Sequence, residues 1–324
     1  MSEMPAAGSA ADTGSLAMIV KVLGSAAGGG LPQANCNCRN CADVRAGRPG
    51  LSPRTQSSLA VSGDGKQWLL LNASPDIRQQ INATLELAPP PGSGMRASPI
   101  AAVALTNGDV DHVAGLLSLR EGLSFTLYAS KRVLEALAAN SIFNVLSSRH
   151  VARVALPLDE RIAVSGGLAI EAYAVPGKVA LYLEDASDGF GTREGDTIGL
   201  EISDRVTGAA FHYIPGCAAV DASLAARLRG ARLVLFDGTL YTDEEMIAQG
   251  LSEKTGQRMG HISMSGAQGA KVGSMAAFAT LGVERRIYVH INNSNPVLRE
   301  GSPERAAVER AGWEIAYDGM EIRL

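Results

Sequence analysis

A cluster of cysteines is the densest group of metal-binding side chains in this 324-residue sequence. The segment NCNCRNC contains Cys36, Cys38 and Cys41, and the only other cysteine is Cys217. Three thiolates at this spacing suit a tetrahedral Zn²⁺ ion, which needs one more ligand from a distant segment. Three unrelated thiols on a turn are the alternative, but closely spaced thiols oxidise readily unless a metal occupies them. We therefore predict a structural zinc site, and we expect Cys217 to be a small buried residue.

A second group of candidate metal ligands lies in the segment ALTNGDVDHVAGL, where an apolar run ends at Leu105. The next seven residues contain Asp109, Asp111 and His112, which is one of only five histidines in the chain. Carboxylate and imidazole groups together bind hard or borderline divalent metals. The alternative is an ordinary turn between a strand and a helix, in which Asp111 caps a helix that starts near His112.

Three further candidates lie close to predicted elements later in the chain. Asp237 ends the run LVLFD, His290 ends RIYVH, and His261 precedes an Ala-rich segment. Each residue alone is weak evidence for a metal site, because Asp-Gly after a strand is usually a turn and a single histidine at a strand end is commonly structural. If the strands are neighbours, however, their polar ends meet at one sheet edge, where open sheets often build their sites. Only the joint arrangement predicts a metal site, and we assign His150 and His212 to structure.

The elements that must position these side chains are short apolar runs separated by Gly, Pro, Asn and Asp. The pattern predicts strands at 18–23, 57–62, 67–72, 101–105, 125–129, 168–175, 197–202, 209–214, 231–236 and 286–291. It predicts helices at 76–82, 112–121, 131–140, 221–228, 242–249 and 264–280, with Ser74 and Pro75 at the start of the first. Early strands follow one another closely and later ones alternate with helices. This order favours an α/β fold of four layers, an αββα sandwich.

Composition narrows the class of protein. With 46% hydrophobic residues and a net charge of −4, the chain can bury a large core and has no basic tract, so a nucleic-acid surface is excluded. No apolar stretch approaches the roughly 18 residues needed to span a membrane, and we expect a soluble, cytoplasmic protein. Residues 1–17 are rich in Ala, Gly and Ser, which predicts a flexible extension rather than a signal peptide. Loops at 88–99 and 184–196 are candidates for the border of a site.

Ten spaced blocks between Met18 and Leu324 are shared with a known family. They are KVLGSAAGGGLPQANCNCRNC, RTQSSLAV, LLLNASPDIRQQI, GLLSLREG, GDTIGLEI, DGTLYTDEEM, GQRMGHISM, HINNSNPVL, SPERA and YDGMEI. Together they resemble the family of pyrroloquinoline quinone (PQQ) biosynthesis protein B, a branch of the metallo-β-lactamase superfamily. The resemblance implies a metallo-β-lactamase-like αββα sandwich that forms a single domain over residues 18–324.

The superfamily signature His-x-His-x-Asp-His is altered in this chain. Asn107 replaces the first histidine and Asp109 the second, whereas Asp111 and His112 remain. The resemblance places a further histidine near Arg193, where this chain has none. The aspartate that bridges two metals is likewise missing near Pro215 and Gly216, whereas the last histidine is present as His290. These losses make a two-zinc hydrolase that activates water harder to assemble.

What remains is a pair of histidines with one carboxylate, which suits a single non-haem Fe²⁺ ion and O₂ chemistry. We rank His112 and His290 first as ligands, then Asp111, then Asp237 and Asp109. His261 is a nearby acid–base or ligand candidate. The resemblance implies the same kind of oxygen chemistry. It implies that O₂ hydroxylates the tyrosine of a Glu-Tyr unit excised from a precursor peptide, on the route to PQQ, with other pathway proteins as possible partners.

Two other functions stay open at this point: a metal-dependent hydrolase, and a carrier that binds PQQ or its precursor for export. Arg78, Arg120 and Arg193 are the arginines that could attract an anionic quinone in a carrier. For the zinc site, the resemblance places the fourth ligand at Asn293. Since Asn is a poor zinc ligand, water or another residue could complete the site instead.

Overall fold

Two seven-stranded sheets form the centre of the protein in a computed structural model, which describes residues 17–184, 193–266 and 272–324. The first sheet contains β1 (Ile19–Gly24), β2 (Ser58–Ser62), β3 (Trp68–Leu71), β4 (Ile100–Ala104), β5 (Phe125–Ala129), β6 (Val151–Ala155) and β14 (Glu321–Arg323). The second contains β7 (Arg161–Ala163), β8 (Leu168–Ala174), β9 (Ile198–Asp204), β10 (Ala210–Ile214), β11 (Leu233–Asp237), β12 (Arg285–Val289) and β13 (Trp313–Ile315).

The two sheets have the same internal plan. In the first, the strand order is β14-β1-β2-β3-β4-β5-β6, and in the second it is β13-β12-β11-β10-β9-β8-β7. Neighbours among β14, β1, β2 and β3 are antiparallel, and those from β3 to β6 are parallel. In the second sheet β7 to β10 are antiparallel and β10 to β13 are parallel. Each sheet therefore has one parallel half whose strands run towards the same end.

Alternation along the strands explains how the sheets pack. In β11, Leu233 and Leu235 belong to the core between the sheets, whereas Val234 and Phe236 face the outer side. In the first sheet, Leu59 likewise faces inward and its neighbour faces outward. Successive strand residues point to opposite faces, so strands buried on both faces are apolar at nearly every position. These continuous apolar runs are what the sequence shows.

Helices cover both outer faces. The described α-helices are α1 (Arg39–Arg45), α2 (Ile77–Ala83), α3 (Val110–Val113), α4 (Lys131–Ala139), α5 (Ala222–Leu228), α6 (Glu245–Ala248), α7 (Ser274–Phe278) and α8 (Pro303–Arg310). Apolar residues of α2 and α4 pack on the first sheet, and those of α5, α7 and α8 pack on the second. The layers are therefore helix, sheet, sheet, helix, and the predicted αββα sandwich is confirmed.

All ten predicted strands are present, with ends within two residues of the prediction. Four observed strands, β6, β7, β13 and β14, were not predicted. Three of them have only three residues, and β6 is an edge strand that is largely exposed. Strands this short carry little periodic signal, so their pairing depends on the neighbouring strand rather than on their own residues.

The helix predictions are less accurate. The predicted helix at 112–121 is one α-helical turn followed by a 3₁₀ segment, Ala114–Leu119. There Gly115 donates its backbone N–H to Ala73, and a side chain at Gly115 would collide with the backbone of Ser74. The predicted helix at 264–280 is helical only over Ser274–Phe278, and residues 267–271 lie outside the described part. Met264 donates its backbone N–H to another segment instead of continuing a helix.

The predicted helix caps also differ from the structure. The helix that contains His112 has Asp109 at its N-cap, without a side-chain hydrogen bond, and Asp111 lies inside the first turn. For α2, the N-cap is Asp76 rather than Ser74, whose hydroxyl donates to Gln80 instead. Helices α1 and α8 were not predicted. Asp111 is therefore left available for another role than capping.

The two ends of the described domain meet. The backbone N–H of Met18 donates to the carbonyl of Leu324 at 3.1 Å, and β14 pairs with β1. On this basis we propose that residues 18–324 fold as one unit. The predicted extension at 1–17 lies outside the described residues except for its last residue, and so does 185–192 of the loop predicted at 184–196. In the described ranges, every helix is too short or too polar to cross a bilayer.

Candidate metal centre

The candidate ligands converge at one end of the sandwich, but they come from both sheets rather than from one sheet edge. Asp237 ends β11, and His290 directly follows its parallel neighbour β12. His112 lies in α3, which follows β4 of the other sheet. The Nε2 atom of His290 nevertheless lies 3.0 Å from Oδ2 of Asp111, across 179 residues of chain. We expected the ends of neighbouring strands in one sheet to meet. The structure also brings together the ends of strands from the two facing sheets.

The loop that carries His112 is held by a buried asparagine. Asn72 accepts the backbone N–H of Thr106 at 2.9 Å and donates its amide to the Thr106 hydroxyl at 3.0 Å. Asn72 has a positive φ of 62°, a conformation that Asn tolerates better than most residues. This anchoring of the loop was not predicted from the sequence, since Asn72 is 34 residues away from Thr106.

Asn107 determines which nitrogen of His112 is free. Its Oδ1 atom accepts the backbone N–H of Asp109 at 3.1 Å and lies 2.6 Å from Nδ1 of His112. The N–H of Asp109 identifies this atom as the amide oxygen, which has no hydrogen to donate and therefore accepts a hydrogen bond from the ring. Nδ1 thus carries the hydrogen and Nε2 carries the lone pair. The residue that replaces the first signature histidine therefore orients the histidine that remains.

The Nε2 atom of His112 is the strongest indication of a metal. It is buried, and it has no hydrogen-bond partner among the described residues. Burial lowers the pKa of His112 to about 4, so its imidazole is neutral at pH 7. A buried acceptor without a partner is costly to a fold, and a metal ion satisfies it. The site thus fits a metal at this atom.

Three side chains can share that ion. One ligand atom from each of Asp111, His112 and His290 lies within 4.8 Å of the others. Although burial opposes it, His112 and the hydrogen bond from His290 hold the pKa of Asp111 well below its usual value, so this carboxylate is ionised. Conversely, burial lowers the pKa of His290 but Asp111 raises it more, and the net shift is upward. Two imidazoles and one ionised carboxylate are therefore available to bind one metal ion.

His290 is held in an unusual conformation. Its φ is +56°, a left-handed value that is costly for a residue other than Gly or Asn. Its Nδ1 atom lies 2.8 Å from the hydroxyl of Thr239, and its carbonyl oxygen lies 3.1 Å from the same hydroxyl. The conformation turns Nε2 towards Asp111. Thr239 was overlooked in the sequence, although its position two residues after Asp237 in the segment DGT is a signal for it.

Asp237, His261 and His290 form a second group within 4.8 Å. Asp237 is fully buried, and its two oxygens accept from the backbone of Cys217 at 2.9 Å and from Thr239 at 2.7 Å and 3.0 Å. The remaining contact is His261, whose Nδ1 lies 2.7 Å from Oδ2. A carboxylate with this many donors has little capacity left for a metal. The geometry favours Asp237 as the anchor of His261.

His261 stacks on His290, with ring centroids 5.2 Å apart. Asp109 lies outside both groups, and burial raises the pKa of its carboxyl, helped by Asp111. Its backbone at the start of α3 places it at the same cavity as the histidines. The structure therefore divides the predicted residues into a group of three around His112, the pair of Asp237 and His261, and the separate carboxyl group of Asp109.

An open cavity of about 730 Å³ lies in front of these residues. Five of the six predicted catalytic residues line it, and Asp237 lies behind them. Its wall also contains residues that were not predicted, among them Lys178, Tyr182, Lys254, Arg258 and Met259. The arginines that we considered for anion binding, Arg78, Arg120 and Arg193, are exposed and are not among the described residues that line this cavity.

The cysteine cluster forms a separate centre. Ligand atoms of Cys36, Cys38 and Cys41 lie within 4.8 Å of one another, and Cys38 is the N-cap of α1. Burial raises the pKa of the Cys41 thiol to about 11. Burial alone would also raise the pKa of the Cys36 thiol. Hydrogen bonds, the largest of them from the backbone N–H of Cys38, instead lower this pKa below its usual value. Cys217 is buried elsewhere, as expected.

Asn293 faces the three sulfur atoms. Its side-chain amide lies 3.2 Å, 3.5 Å and 3.3 Å from the sulfurs of Cys36, Cys38 and Cys41. Nitrogen and oxygen of an amide occupy equivalent places after a 180° turn of the group, so the oxygen can take this position. The fourth side of the cluster is thus closed by the residue that the resemblance indicated.

Comparisons with known proteins cover nearly the whole chain. The β-lactamase superfamily domain model matches residues 67–291. Coenzyme PQQ synthesis protein B of Bradyrhizobium diazoefficiens is 52% identical over 312 residues, which cover 94% of this chain and 99% of that one. The protein of the same name from Rhodopseudomonas palustris is 53% identical over 314 residues, which cover 95% of this chain and 100% of that one.

Solved structures give the same result. The crystal structure of Zn²⁺-bound PqqB from Methylobacterium extorquens has a TM-score of 0.90 and 51% identity, and the match covers 94% of this chain and 100% of that one. A diphosphatase of the PhnP family has a TM-score of 0.65 at 19% identity over 95% and 97% of the two chains, which shows the shared fold alone. The chain belongs to the coenzyme PQQ synthesis protein B family, within the β-lactamase superfamily.

Proposed function

We propose that this protein acts in PQQ biosynthesis as an Fe²⁺- and O₂-dependent hydroxylase of the tyrosine in a Glu-Tyr unit derived from the precursor peptide. Membership of the family supports the role in PQQ biosynthesis. One observation carries the choice of chemistry: Nε2 of His112, which has no hydrogen-bond partner in the described part of the chain, lies beside Asp111 and His290 at an open cavity. Two histidines and one carboxylate with open positions are the ligand set of non-haem Fe²⁺ oxygenases.

Bound Fe²⁺ would supply the activation of O₂. Asp111, His112 and His290 would hold it, since their ligand atoms are within 4.8 Å of one another. Overall, one oxygen atom enters a ring C–H bond to give a catechol, and the other leaves as water. This balance requires two electrons and two protons from an external reductant.

The chain's own residues have separate roles in this proposal. His261 lines the cavity and is paired with Asp237 at 2.7 Å, an arrangement suited to accepting a proton from the substrate phenol. Asp109 adds a carboxyl group at the same cavity, and burial, helped by Asp111, raises its pKa. The cysteine centre, with Asn293, would hold a structural Zn²⁺ that ties α1 to the segment after β12.

The test is anaerobic reconstitution with Fe²⁺, followed by exposure to O₂, a reductant and a Glu-Tyr peptide. We expect O₂ consumption and a catechol product from the Fe²⁺ form. His112→Ala should abolish both, whereas His150→Ala should not, since His150 is exposed and contacts Ser124 instead. Equal competence of the Zn²⁺ form would refute the hydroxylase. Peptide cleavage would instead indicate a hydrolase, and binding of PQQ without turnover would indicate a carrier.

A further inference from the structure

The cavity in front of the metal centre has two electrostatically different parts. Its inner part contains the carboxyl groups of Asp109 and Asp111 and the histidines. Its wall also contains three cations, Lys178, Lys254 and Arg258. Binding of a metal ion and O₂ alone would not require three positively charged side chains in the wall. Cations on the wall of such a cavity attract an anionic substrate.

Two of these cations share a carboxylate from the chain itself. Glu184 lies between them, with Oε1 3.6 Å from Nζ of Lys178 and Oε2 3.7 Å from Nη2 of Arg258. The three side chains are partly exposed, at 19% for Lys178 and Glu184 and 29% for Arg258. Both distances exceed a good hydrogen bond, so the attraction is weak and another carboxylate can displace Glu184.

Lys178 is held in place by its surroundings. Its stem packs against Gly260, which has a φ of +88°, and a Cβ at that glycine would lie only 2.7 Å from Cγ of the lysine. The carbonyl of Lys178 accepts the hydroxyl of Thr197 at 3.0 Å. Gly260 also directly precedes His261 in the chain. The backbone therefore couples the position of this cation to the metal centre.

The segment after Lys178 reaches the loop that carries the metal ligands. Tyr182 donates its hydroxyl to the carbonyl of Gly108 at 3.0 Å, between Asn107 and Asp109. The cations and the ligands are thus walls of one cavity rather than separate surfaces. A bound peptide can therefore place one group at the cations while its ring faces the metal centre.

We propose that Lys178 and Arg258 form an anion subsite that binds a carboxylate of the substrate, and that Glu184 occupies this subsite until the substrate displaces it. The inference rests on the proposed function, because it takes the substrate to be a short acidic peptide with a tyrosine. Either the side-chain carboxylate of its glutamate or its terminal carboxylate has the required chemistry. Both would be bound by paired, charge-assisted hydrogen bonds.

Binding is measured by calorimetry on Zn²⁺-loaded protein, with Glu-Tyr as the probe. We expect Lys178→Gln and Arg258→Gln each to weaken binding by about tenfold, since a hydrogen bond to a charged group is lost. Glu184→Gln should act in the opposite direction and tighten binding by about threefold, because the internal competitor is removed. A merely structural Glu184 would not produce tighter binding. Lys131→Gln and Arg120→Gln, at exposed positions away from the cavity, are the matched controls.

Three peptides identify the carboxylate. If Gln-Tyr binds about tenfold more weakly than Glu-Tyr, and only Gln-Tyr is insensitive to Lys178→Gln, the subsite binds the glutamate side chain. If the C-terminal amide of Glu-Tyr shows this pattern instead, it binds the terminal carboxylate. Equal binding of all three peptides overturns the proposal, as does unchanged or weaker binding by Glu184→Gln.

The two proposals fail in different ways. Charge-dependent binding with no catechol formed by the Fe²⁺ protein would refute the hydroxylase and keep the subsite. Catechol formation at the same KM in Lys178→Gln and Arg258→Gln would refute the subsite and keep the hydroxylase. Should Lys178→Gln fail to fold, Glu184→Gln and the peptide series still decide the outcome.

Discussion

Replacing Asn107 by alanine tests whether a hydrogen bond, rather than direct ligation, is the contribution of this residue to the metal site. Asn107→Ala removes the acceptor that lies 2.6 Å from Nδ1 of His112. Among the described residues, the next hydrogen-bonding oxygen is the hydroxyl of Thr106, which is 3.5 Å away and is already bonded to Asn72. The imidazole would then lose both its preferred tautomer and its orientation.

The magnitude follows from the role of such outer contacts. Loss of the hydrogen bond that orients a metal-binding histidine typically weakens metal affinity about 10- to 100-fold, or about 1.4 to 2.8 kcal/mol. Asn107→Asp is the matched control because it keeps an oxygen at the same place. It should bind metal at least as tightly as the unmodified protein, since the added charge strengthens the bond to Nδ1–H.

The assay is a competition titration with Fe²⁺ and a chelator under anaerobic conditions. Spectra of Co²⁺-loaded protein separate this site from the cysteine centre, because thiolate ligands give a distinct absorption. Nitrogen-15 NMR of the histidines, recorded on Zn²⁺-loaded protein, reports whether Nδ1 of His112 keeps its hydrogen. An alanine variant with full Fe²⁺ affinity would refute the reasoning. So would an aspartate variant as weak as the alanine variant, because the amide nitrogen would then be the important atom.

Two further predictions concern other residues. Asn293→Cys should add a fourth thiolate to the cysteine centre and slow the loss of Zn²⁺ to a chelator by at least about tenfold. The metal content is measured by mass spectrometry, and an unchanged rate of loss would contradict the placement of Asn293. Burial raises the pKa of Glu245 to about 7, although Ser294 and Tyr241 donate hydrogen bonds to it. Its folded pKa is above the unfolded value, so the folded state binds the extra proton, and stability should fall as the pH rises from about 4.5 to 7. Glu245→Gln should remove this dependence and be more stable than the unmodified protein at pH 8 by about 1 to 3 kcal/mol in urea unfolding, whereas an identical pH dependence of the two proteins would contradict it.

Much of the fold could be predicted because its signals are local. Strands such as β11, with LVLFD, are apolar at successive positions since both faces are buried, and this pattern survives in the sequence. The edge strand β6 and the three-residue strands have no comparable pattern, because their neighbours decide whether they pair. The helix at 264–280 was overestimated for the same reason, since Met264 bonds to the chain at Leu240.

The candidate site was predicted as a set of residue types, and its organisation was not. The residues Cys36, Cys38 and Cys41 lie within one short segment, so their spacing alone indicated a zinc site. The sequence also indicated His112 and His290 through the remnants of a signature. It did not indicate Lys178 or Arg258, because isolated cations have no spacing that marks a binding site.

By itself, the sequence determined the sandwich, the cysteine cluster and the residue types at the candidate metal site, because alternation and close spacing are properties of short segments. Only the tertiary structure decided that Asp111 meets His290 across 179 residues. It also decided that the carboxylate of Asp237 is occupied by the backbone N–H of Cys217 and by His261. Likewise, it decided that Nε2 of His112 is buried without a hydrogen-bond partner in the described ranges. These are outcomes of packing two sheets together, and distances between remote segments are set by that packing rather than by any local preference.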